Sequence, residues 1–111
     1  MDLQVIVSMM IWITTFMGIH PVMDIPTVVE VSPNMLAKQC KARVVGCYIR
    51  PMIYLNQDLR PAEKEFVLAH ELIHHIQELN GMFGTIENRD RTIMREKHAR
   101  SLMKAITGIG E

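Results

Sequence analysis

The sequence predicts an α+β domain, in which a small, mainly antiparallel or mixed sheet is combined with an N-terminal helix and two later helices. Apolar residues at helical spacing indicate the three helices, in residues 1–20, 61–80 and 88–107. Short runs rich in β-branched residues indicate strands between the first two helices, in residues 27–31, 43–49 and 52–55. Because 111 residues can bury one modest core but not two, we expect a single domain over residues 1–111.

The charge balance argues against nucleic acid as a partner. Lys and Arg together number 12, as do Asp and Glu, so the formal net charge is zero. A surface that binds phosphate groups usually shows a basic excess. The basic residues near the C-terminus are, on a helix, more typical of a solvated face than of a binding patch.

Residues 3–19 form an almost continuous apolar run that has three interpretations. A signal peptide normally begins with positive charge and ends at a small-residue cleavage site, and neither feature is clear here. A membrane span needs about 20 apolar residues, whereas this run is shorter and includes Ser8, Thr14 and Thr15. We therefore expect a buried core helix that ends at Gly18, with no membrane contact and a cytoplasmic location. A membrane anchor through the same residues is the alternative.

The segment between the first and second long helices predicts strands and one short helix. Ser32 is a candidate cap and Pro33 a first helical residue for a helix that runs to about Gln39. Pro51 separates the last two strand-like runs and predicts an edge or a bend rather than a central strand. We expect the run after it, which includes Ile53, Tyr54 and Leu55, to be an exposed edge.

The second long helix has recognisable ends. Pro61 suits a first helical position, with Asn56 and Asp58 nearby as candidate caps. Asn80 and Gly81 are a plausible stop, since Gly adopts the left-handed conformation that often follows a last turn.

This helix contains the pattern H-E-x-x-H, formed by His70, Glu71 and His74. Residues four apart on a helix lie one above the other, so the two imidazoles can point at one metal ion. Zn²⁺ readily accepts neutral imidazole nitrogen. Glu71 is then placed to act on a metal-bound water and not to bind the metal. His75 faces about 100° away from His74 on a helical wheel, so we expect it on the solvent side or behind the ligands.

A catalytic zinc site needs a third protein ligand, and the last helix supplies candidates. The candidates downstream of the motif are Glu87, Asp90, Glu96 and His98. Glu96 falls within an apolar stripe made by Ile93, Ala99, Met103 and Ile106. A carboxylate facing a core is costly unless a cation compensates it, which favours Glu96 as a ligand. His98 lies off this stripe.

The two cysteines, Cys40 and Cys47, do not form a C-x-x-C pair. A secreted disulfide framework normally contains more cysteines, so we expect reduced thiols, with a single disulfide as the alternative.

The combination of His70-Glu71-x-x-His74 with a later Glu96-x-x-Ala99 resembles the gluzincin zinc metallopeptidases. The resemblance covers roughly residues 52–107 and implies a minimal zincin-like domain. In gluzincins the first-motif Glu is the general base, while both histidines and the second-motif Glu bind zinc. The resemblance thus gives Glu71 the catalytic role and zinc to His70, His74 and Glu96.

The chain also resembles short, uncharacterised metallopeptidases of bacteria and their phages. Their order is an apolar helix with a Trp, a Gly turn, a Pro-x-Val strand and an H-E-x-x-H-x-x-Q segment. Residues that fit this order are Trp12, Gly18, Pro26, Val28 and Gln77.

The resemblance implies zinc-dependent hydrolysis of a peptide or protein substrate. The strand that includes Ile53, Tyr54 and Leu55 could pair with an extended substrate. The side chain that stabilises the transition state is left open among Tyr48, Tyr54, His98 and Arg100. The alternative function is a zinc-stabilised binding module that is weakly active or inactive, which residues 3–19 could anchor to a membrane.

Overall fold

A computed structural model describes residues 2–20, 24–81 and 88–107, with side chains of the last helix described over residues 93–104. The elements in chain order are α1 (Leu3–Met17), β1 (Thr27–Val31), α2 (Pro33–Cys40), β2 (Gly46–Ile49), β3 (Met52–Asn56), α3 (Pro61–Leu79) and α4 (Asn88–Thr107). Helices and one small mixed sheet make this an α+β fold, as the sequence predicts.

The sheet has the strand order β1-β3-β2. β1 runs parallel to β3, while β2 pairs with β3 in the antiparallel direction. β3 is therefore the central strand, and the expectation that Ile53, Tyr54 and Leu55 form an exposed edge is wrong. The predicted strand at residues 43–49 begins only at Gly46. Pro51 lies in the turn between β2 and β3, which agrees with the bend predicted there.

One face of the apolar helix α1 covers the core. Ile6, Met10 and Ile13 are buried against the other elements, and α1 packs on α3. Gly18 caps the helix with a positive φ of 71°. Leu3, the first residue of the helix, is 61% exposed. Among the described residues, no helix combines the length and the apolar character needed to cross a membrane.

α3 begins at Pro61, but neither predicted cap occupies its start. Arg60 is the N-cap residue, and its backbone N–H donates to the Glu63 carboxylate at 3.0 Å. Asn56 instead stabilises the preceding turn, because its side-chain oxygen accepts the Asp58 N–H at 2.9 Å. The helix ends at Leu79, and Gly81 has a positive φ of 59°, as the predicted stop requires.

α4 packs against α3 through small and apolar residues. Ala99 is completely buried and Met103 nearly so, which lets the two helix backbones approach closely. Ile93, predicted on the same stripe, is 44% exposed. The stripe that faces α3 is therefore shorter than the sequence spacing indicates.

A disulfide joins Cys40, at the end of α2, to Cys47 in β2. This corrects the expectation of two reduced thiols. The two cysteines are seven residues apart, and they meet only because the chain turns back from α2 into β2. That turn could not be predicted from the sequence.

Candidate metal centre and its cleft

The H-E-x-x-H segment lies in the middle of α3, with both histidines at the edge of the buried face. Their side chains retain 24% and 14% exposure for His70 and His74, respectively. The two Nε2 atoms lie 3.2 Å apart. The helical spacing therefore does direct both imidazoles at one point.

α4 brings Glu96 to the same point. Its Oε1 lies 2.7 Å from His74 Nε2, and its Oε2 lies 3.6 Å from His70 Nε2. One ligand atom from each of the three residues falls within 4.8 Å of the others, a grouping that could hold a metal ion. Of the other candidates, Glu87 lies outside the described residues, and the side chain of Asp90 is not among those described.

The chemistry of these three groups fits a cation. Two imidazole nitrogens and a carboxylate oxygen are ligands that Zn²⁺ takes in catalytic sites. A lone pair on His74 Nε2 would repel a carboxylate oxygen at 2.7 Å unless a proton or a cation lay between them. Burial, followed by the neighbouring His74, lowers the pKa of His70, which favours the neutral form that binds metals.

Glu71 is buried beside this group and points into the same cleft. Burial, together with the negative charge of Glu96, raises the pKa of Glu71 to about 7. Glu71 directly follows His70 in the chain and does not belong to the three-residue group.

Gln77 is a completely buried polar residue one turn beyond His74. Its side-chain oxygen lies 3.0 Å from His74 Nδ1. Its side-chain nitrogen lies 3.1 Å from the backbone oxygen of Arg95 and 2.8 Å from His98 Nδ1. His98 therefore faces Gln77 and is not part of the three-residue group, and burial lowers the pKa of His98.

An open cleft of about 1680 Å³ runs past these residues. β2 and the residues before it form one side, and α3 and α4 form the other, with His70, Glu71, His74 and Glu96 in its lining. The predicted substrate-binding residues are elsewhere: Ile53 and Leu55 are completely buried, and Tyr54 does not line this cleft. The strand that borders the cleft is β2.

Tyr48, on β2, is hydrogen-bonded to a residue of the motif helix. Its hydroxyl lies 2.9 Å from His75 Nδ1, and His75 Nε2 lies 2.7 Å from the backbone oxygen of Asp24. Since a carbonyl only accepts, His75 Nε2 donates, and a neutral His75 accepts the Tyr48 O–H. His75 is completely buried, which corrects the solvent-side alternative. Burial raises the pKa of Tyr48, whose proton is already engaged.

Sequence analysis did not predict the contact of Gln77 with His74, or the hydrogen bond between Tyr48 and His75. The H-x-x-Q spacing of His74 and Gln77 was a usable signal, because residues three apart on a helix are neighbours. No local signal could reveal the contact of Tyr48 with His75, which joins residues 27 positions apart.

An α+β domain with H-E-x-x-H and a converging glutamate defines a metallopeptidase-like protein. The model of the family Peptidase_M78, described as the IrrE N-terminal-like domain, matches residues 22–105. The chain belongs to this family, which confirms the resemblance to zinc metallopeptidases. Neither a curated protein nor a solved structure gives a significant match to the chain.

Proposed function

We propose that this protein is a zinc-dependent peptidase, with His70, His74 and Glu96 as metal ligands and Glu71 as general base. The observation that carries the proposal is the convergence of the three ligand atoms within 4.8 Å, next to a buried carboxylate in an open cleft. A purely structural zinc site needs no such base and normally fills its fourth position with Cys or His.

In the proposed hydrolysis, the metal and the residues of the chain have different roles. Bound Zn²⁺ supplies a Lewis acid that polarises a carbonyl and makes water more acidic. Glu71 accepts the proton of the attacking water and delivers it to the nitrogen of the leaving amine. The helix–helix contact at Ala99 keeps Glu96 opposite the two histidines, so that the ligands are positioned before substrate arrives.

The substrate is a peptide in extended form that lies along β2. β2 is at the end of the strand order and lines the cleft, so its outer backbone groups are available for pairing on the side of His70 and His74. β2 thereby takes the role that the sequence assigned to Ile53, Tyr54 and Leu55.

Glu71→Gln tests the proposal directly. Zinc-loaded wild type and variant are incubated with a library of unstructured peptides, and cleavage is followed by mass spectrometry. We expect the variant to bind zinc and fold like wild type while losing at least about 100-fold in cleavage rate, because only the proton acceptor is removed. Glu63→Gln, an exposed position on the same helix, is the matched control and should cleave like wild type.

The competing function is a zinc-stabilised binding module. The observation that favours it is a set of exposed apolar side chains on α1 that the cleft does not use, namely Leu3, Ile11, Trp12 and Phe16. A protein that binds one zinc per chain but cleaves no peptide, in wild type as in Glu71→Gln, would support the binding module and reject the peptidase.

A further inference from the structure

Gln77 makes three hydrogen bonds from a completely buried position between α3 and α4. An amide side chain has an accepting oxygen and a donating nitrogen, and the two are hard to distinguish by shape. The partners of Gln77 decide between the two orientations. The backbone oxygen of Arg95 can only accept, so the atom 3.1 Å from it must be the amide nitrogen.

This orientation fixes the protonation of both histidines around Gln77. The amide oxygen then faces His74 at 3.0 Å, and since it only accepts, His74 must carry its proton on Nδ1. The second N–H of the amide faces His98 at 2.8 Å, so His98 Nδ1 is the acceptor. A neutral His74 with its proton on Nδ1 has its lone pair on Nε2, the atom that faces Glu96.

The same side chain also connects the two ligand-bearing helices. Arg95, whose backbone oxygen accepts from Gln77, directly precedes Glu96. The Arg95 side chain adds a second connection through its ion pair with Glu78 of α3 at 2.6 Å. Gln77 thus contacts one ligand through its oxygen and the backbone beside another ligand through its nitrogen.

We infer that Gln77 is the positioning residue of the metal centre, which holds His74 in its metal-binding tautomer and fixes Glu96 opposite it. The inference rests on the proposed function only in taking His74 and Glu96 as ligands, and it does not depend on peptide hydrolysis. Groups that orient ligand imidazoles in this way typically contribute about 10- to 100-fold to metal affinity.

The first test needs no metal and no variant. Long-range ¹H–¹⁵N correlation spectra of the metal-free protein, with ¹⁵N-labelled histidine, distinguish protonation at Nδ1 from protonation at Nε2. We expect His74 to carry a proton on Nδ1 in wild type, because the Gln77 oxygen accepts there; without metal, Nε2 can carry a proton as well, since it faces the Glu96 carboxylate. A His74 protonated at Nε2 alone would overturn the inference, whatever the activity of the protein.

Variants separate the two contacts of Gln77. Gln77→Met has a similar length and no hydrogen bonds, so His74 should lose its fixed tautomer and zinc affinity should fall by roughly 10- to 100-fold. Gln77→Glu keeps an acceptor for His74 but cannot donate to Arg95 or His98. The His74 tautomer should therefore persist, and zinc affinity should fall less than in Gln77→Met. Zinc affinity is measured against a competing chelator, and visible spectra of the Co²⁺-loaded proteins report the ligand geometry.

The control for these variants is Gln57→Met, the same change at an exposed position. It should leave the tautomer, the Co²⁺ spectrum and zinc affinity unchanged. A folded Gln77→Met protein with the wild-type His74 tautomer and zinc affinity would show that Gln77 only fills space. Loss of affinity in Gln77→Met, in a protein that cleaves no peptide, would support the positioning role and reject the peptidase.

A separate observation concerns the charge of the cleft. The side formed by α2, β2 and the adjoining turns carries Lys38, Arg43 and Arg50, all exposed. The acidic residues of the cleft lie on the opposite side: Glu71 and Glu96 belong to the metal centre, and Glu78 pairs with Arg95. The disulfide between α2 and β2 holds the basic side together.

We propose that this basic side, defined by Lys38, Arg43 and Arg50, selects peptide segments rich in Asp and Glu. This deepens the proposed function, because it names the substrate class for the same cleft. Each exposed ion pair is worth at most about five-fold in affinity at low salt, and screening by salt reduces it.

Binding can be measured without turnover in zinc-loaded Glu71→Gln. Fluorescence anisotropy compares two labelled peptides that differ only in carrying Glu or Lys at the variable positions. We expect tighter binding of the acidic peptide, and a loss of about five-fold or less for Arg43→Glu or Arg50→Glu at low salt. Lys104→Glu, an equal charge change on α4, is the control and should bind like the parent protein.

Equal binding of the two peptides, or equal effects of the cleft and control variants, would overturn the preference for acidic peptides. Binding without such a preference would leave the peptidase proposal intact, because hydrolysis is scored with wild-type protein. Preferential binding of acidic peptides by a protein that cleaves none would support the charge selection and reject the peptidase.

Discussion

At the scale of single residues, Glu96 and His98 present a contrast that mutation can resolve. Both are on α4 and both face α3, but only Glu96 has an atom in the three-residue group. Glu96→Ala should weaken zinc binding by at least roughly 10-fold, since it removes a ligand. His98→Ala should change zinc affinity much less, because Gln77 retains its contacts with His74 and Arg95. A zinc titration against a competing chelator measures both.

The reverse result would reassign the third ligand. If His98→Ala lost the metal while Glu96→Ala kept it, the ligand set would contain three histidines, and the resemblance to gluzincins would not extend to the metal centre. The control is Lys97→Ala, an exposed position between the two, which should bind zinc like wild type.

What sequence can predict at this scale depends on how local the contact is. His70 and His74 are on one turn of one helix, so their spacing alone brings their Nε2 atoms within 3.2 Å. The prediction of Glu96 required an argument about the cost of a carboxylate near a core, and a Glu96 oxygen does lie within 4.8 Å of the ligand atoms of His70 and His74. The burial of His75 could not be predicted, because its partners Tyr48 and Asp24 lie far away in the chain.

At the scale of elements, the close approach of β2 to α3 depends on Gly46. A Cβ atom at this position would lie 2.6 Å from Val67 Cγ1 and 3.1 Å from the backbone oxygen of Tyr54. Gly46→Ala should therefore lower the free energy of unfolding by about 1 to 3 kcal/mol, as overpacking does elsewhere. Chemical denaturation measures the loss.

Val67→Ala in the Gly46→Ala background provides the check on that explanation. Removing the Val67 methyl groups should recover part of the stability, while the contact with the Tyr54 backbone remains. A double variant with no recovery, relative to Val67→Ala alone, would mean that crowding against Val67 is not the cause.

The ion pair between β1 and α3 gives a pH dependence with a defined sign. Lys64 Nζ lies 2.6 Å from Glu30 Oε1, and this hydrogen bond lowers the pKa of Glu30 from its ordinary value of 4.5. A lowered pKa in the folded state means that the contribution is fully present above pH 4.5 and is lost as pH falls through the folded-state value. The contribution is about 1 kcal/mol at most, because both groups are partly exposed.

Glu30→Gln isolates this contribution. Unfolding free energies measured between neutral and acidic pH should fall less steeply for the variant than for wild type. Asp58→Asn, at an exposed position in the turn before α3, serves as the charge control and should follow wild type. Parallel curves for Glu30→Gln and wild type would contradict the assignment.

The positions of helices and strands along the chain can be predicted more readily than which strands lie side by side in the sheet. Proline, glycine and β-branched residues mark the ends of β1, α2 and α3 along the chain. The strand order is not local information, and the assumption that the strand before α3 was an edge placed the substrate on β3 instead of β2. β1 and β3 can pair in parallel because α2 and β2 form the connection between them. The alternation of apolar and polar side chains along a strand does not show which strand will be its neighbour.

At the scale of the whole molecule, zinc binding and folding should be linked. The proposed ligands come from α3 and α4, so an unfolded chain cannot present them together. With free zinc at about 100 times its Kd, binding adds about 2.7 kcal/mol to stability. For a domain of this size that corresponds to roughly 10 to 20 °C in Tm.

Thermal unfolding with zinc and with excess chelator measures this shift. Glu96→Ala should show a smaller difference between the two conditions, since its site is weakened. One core contains residues from α1, β3, α3 and α4, so we also expect a single cooperative transition. Two separated transitions would contradict the proposal of a single domain, and an unchanged Tm on chelation would contradict a bound metal.

The outer edge of β2 has a consequence for the protein at high concentration. In the described part of the chain, no strand pairs with this side of β2, and an edge open to a peptide is equally open to a second copy. β2 is only four residues long, and Arg43 and Arg50 lie near its two ends. Two copies that paired through their β2 edges would bring these like charges together. The residues proposed to favour an acidic peptide therefore also oppose self-association of the protein through β2.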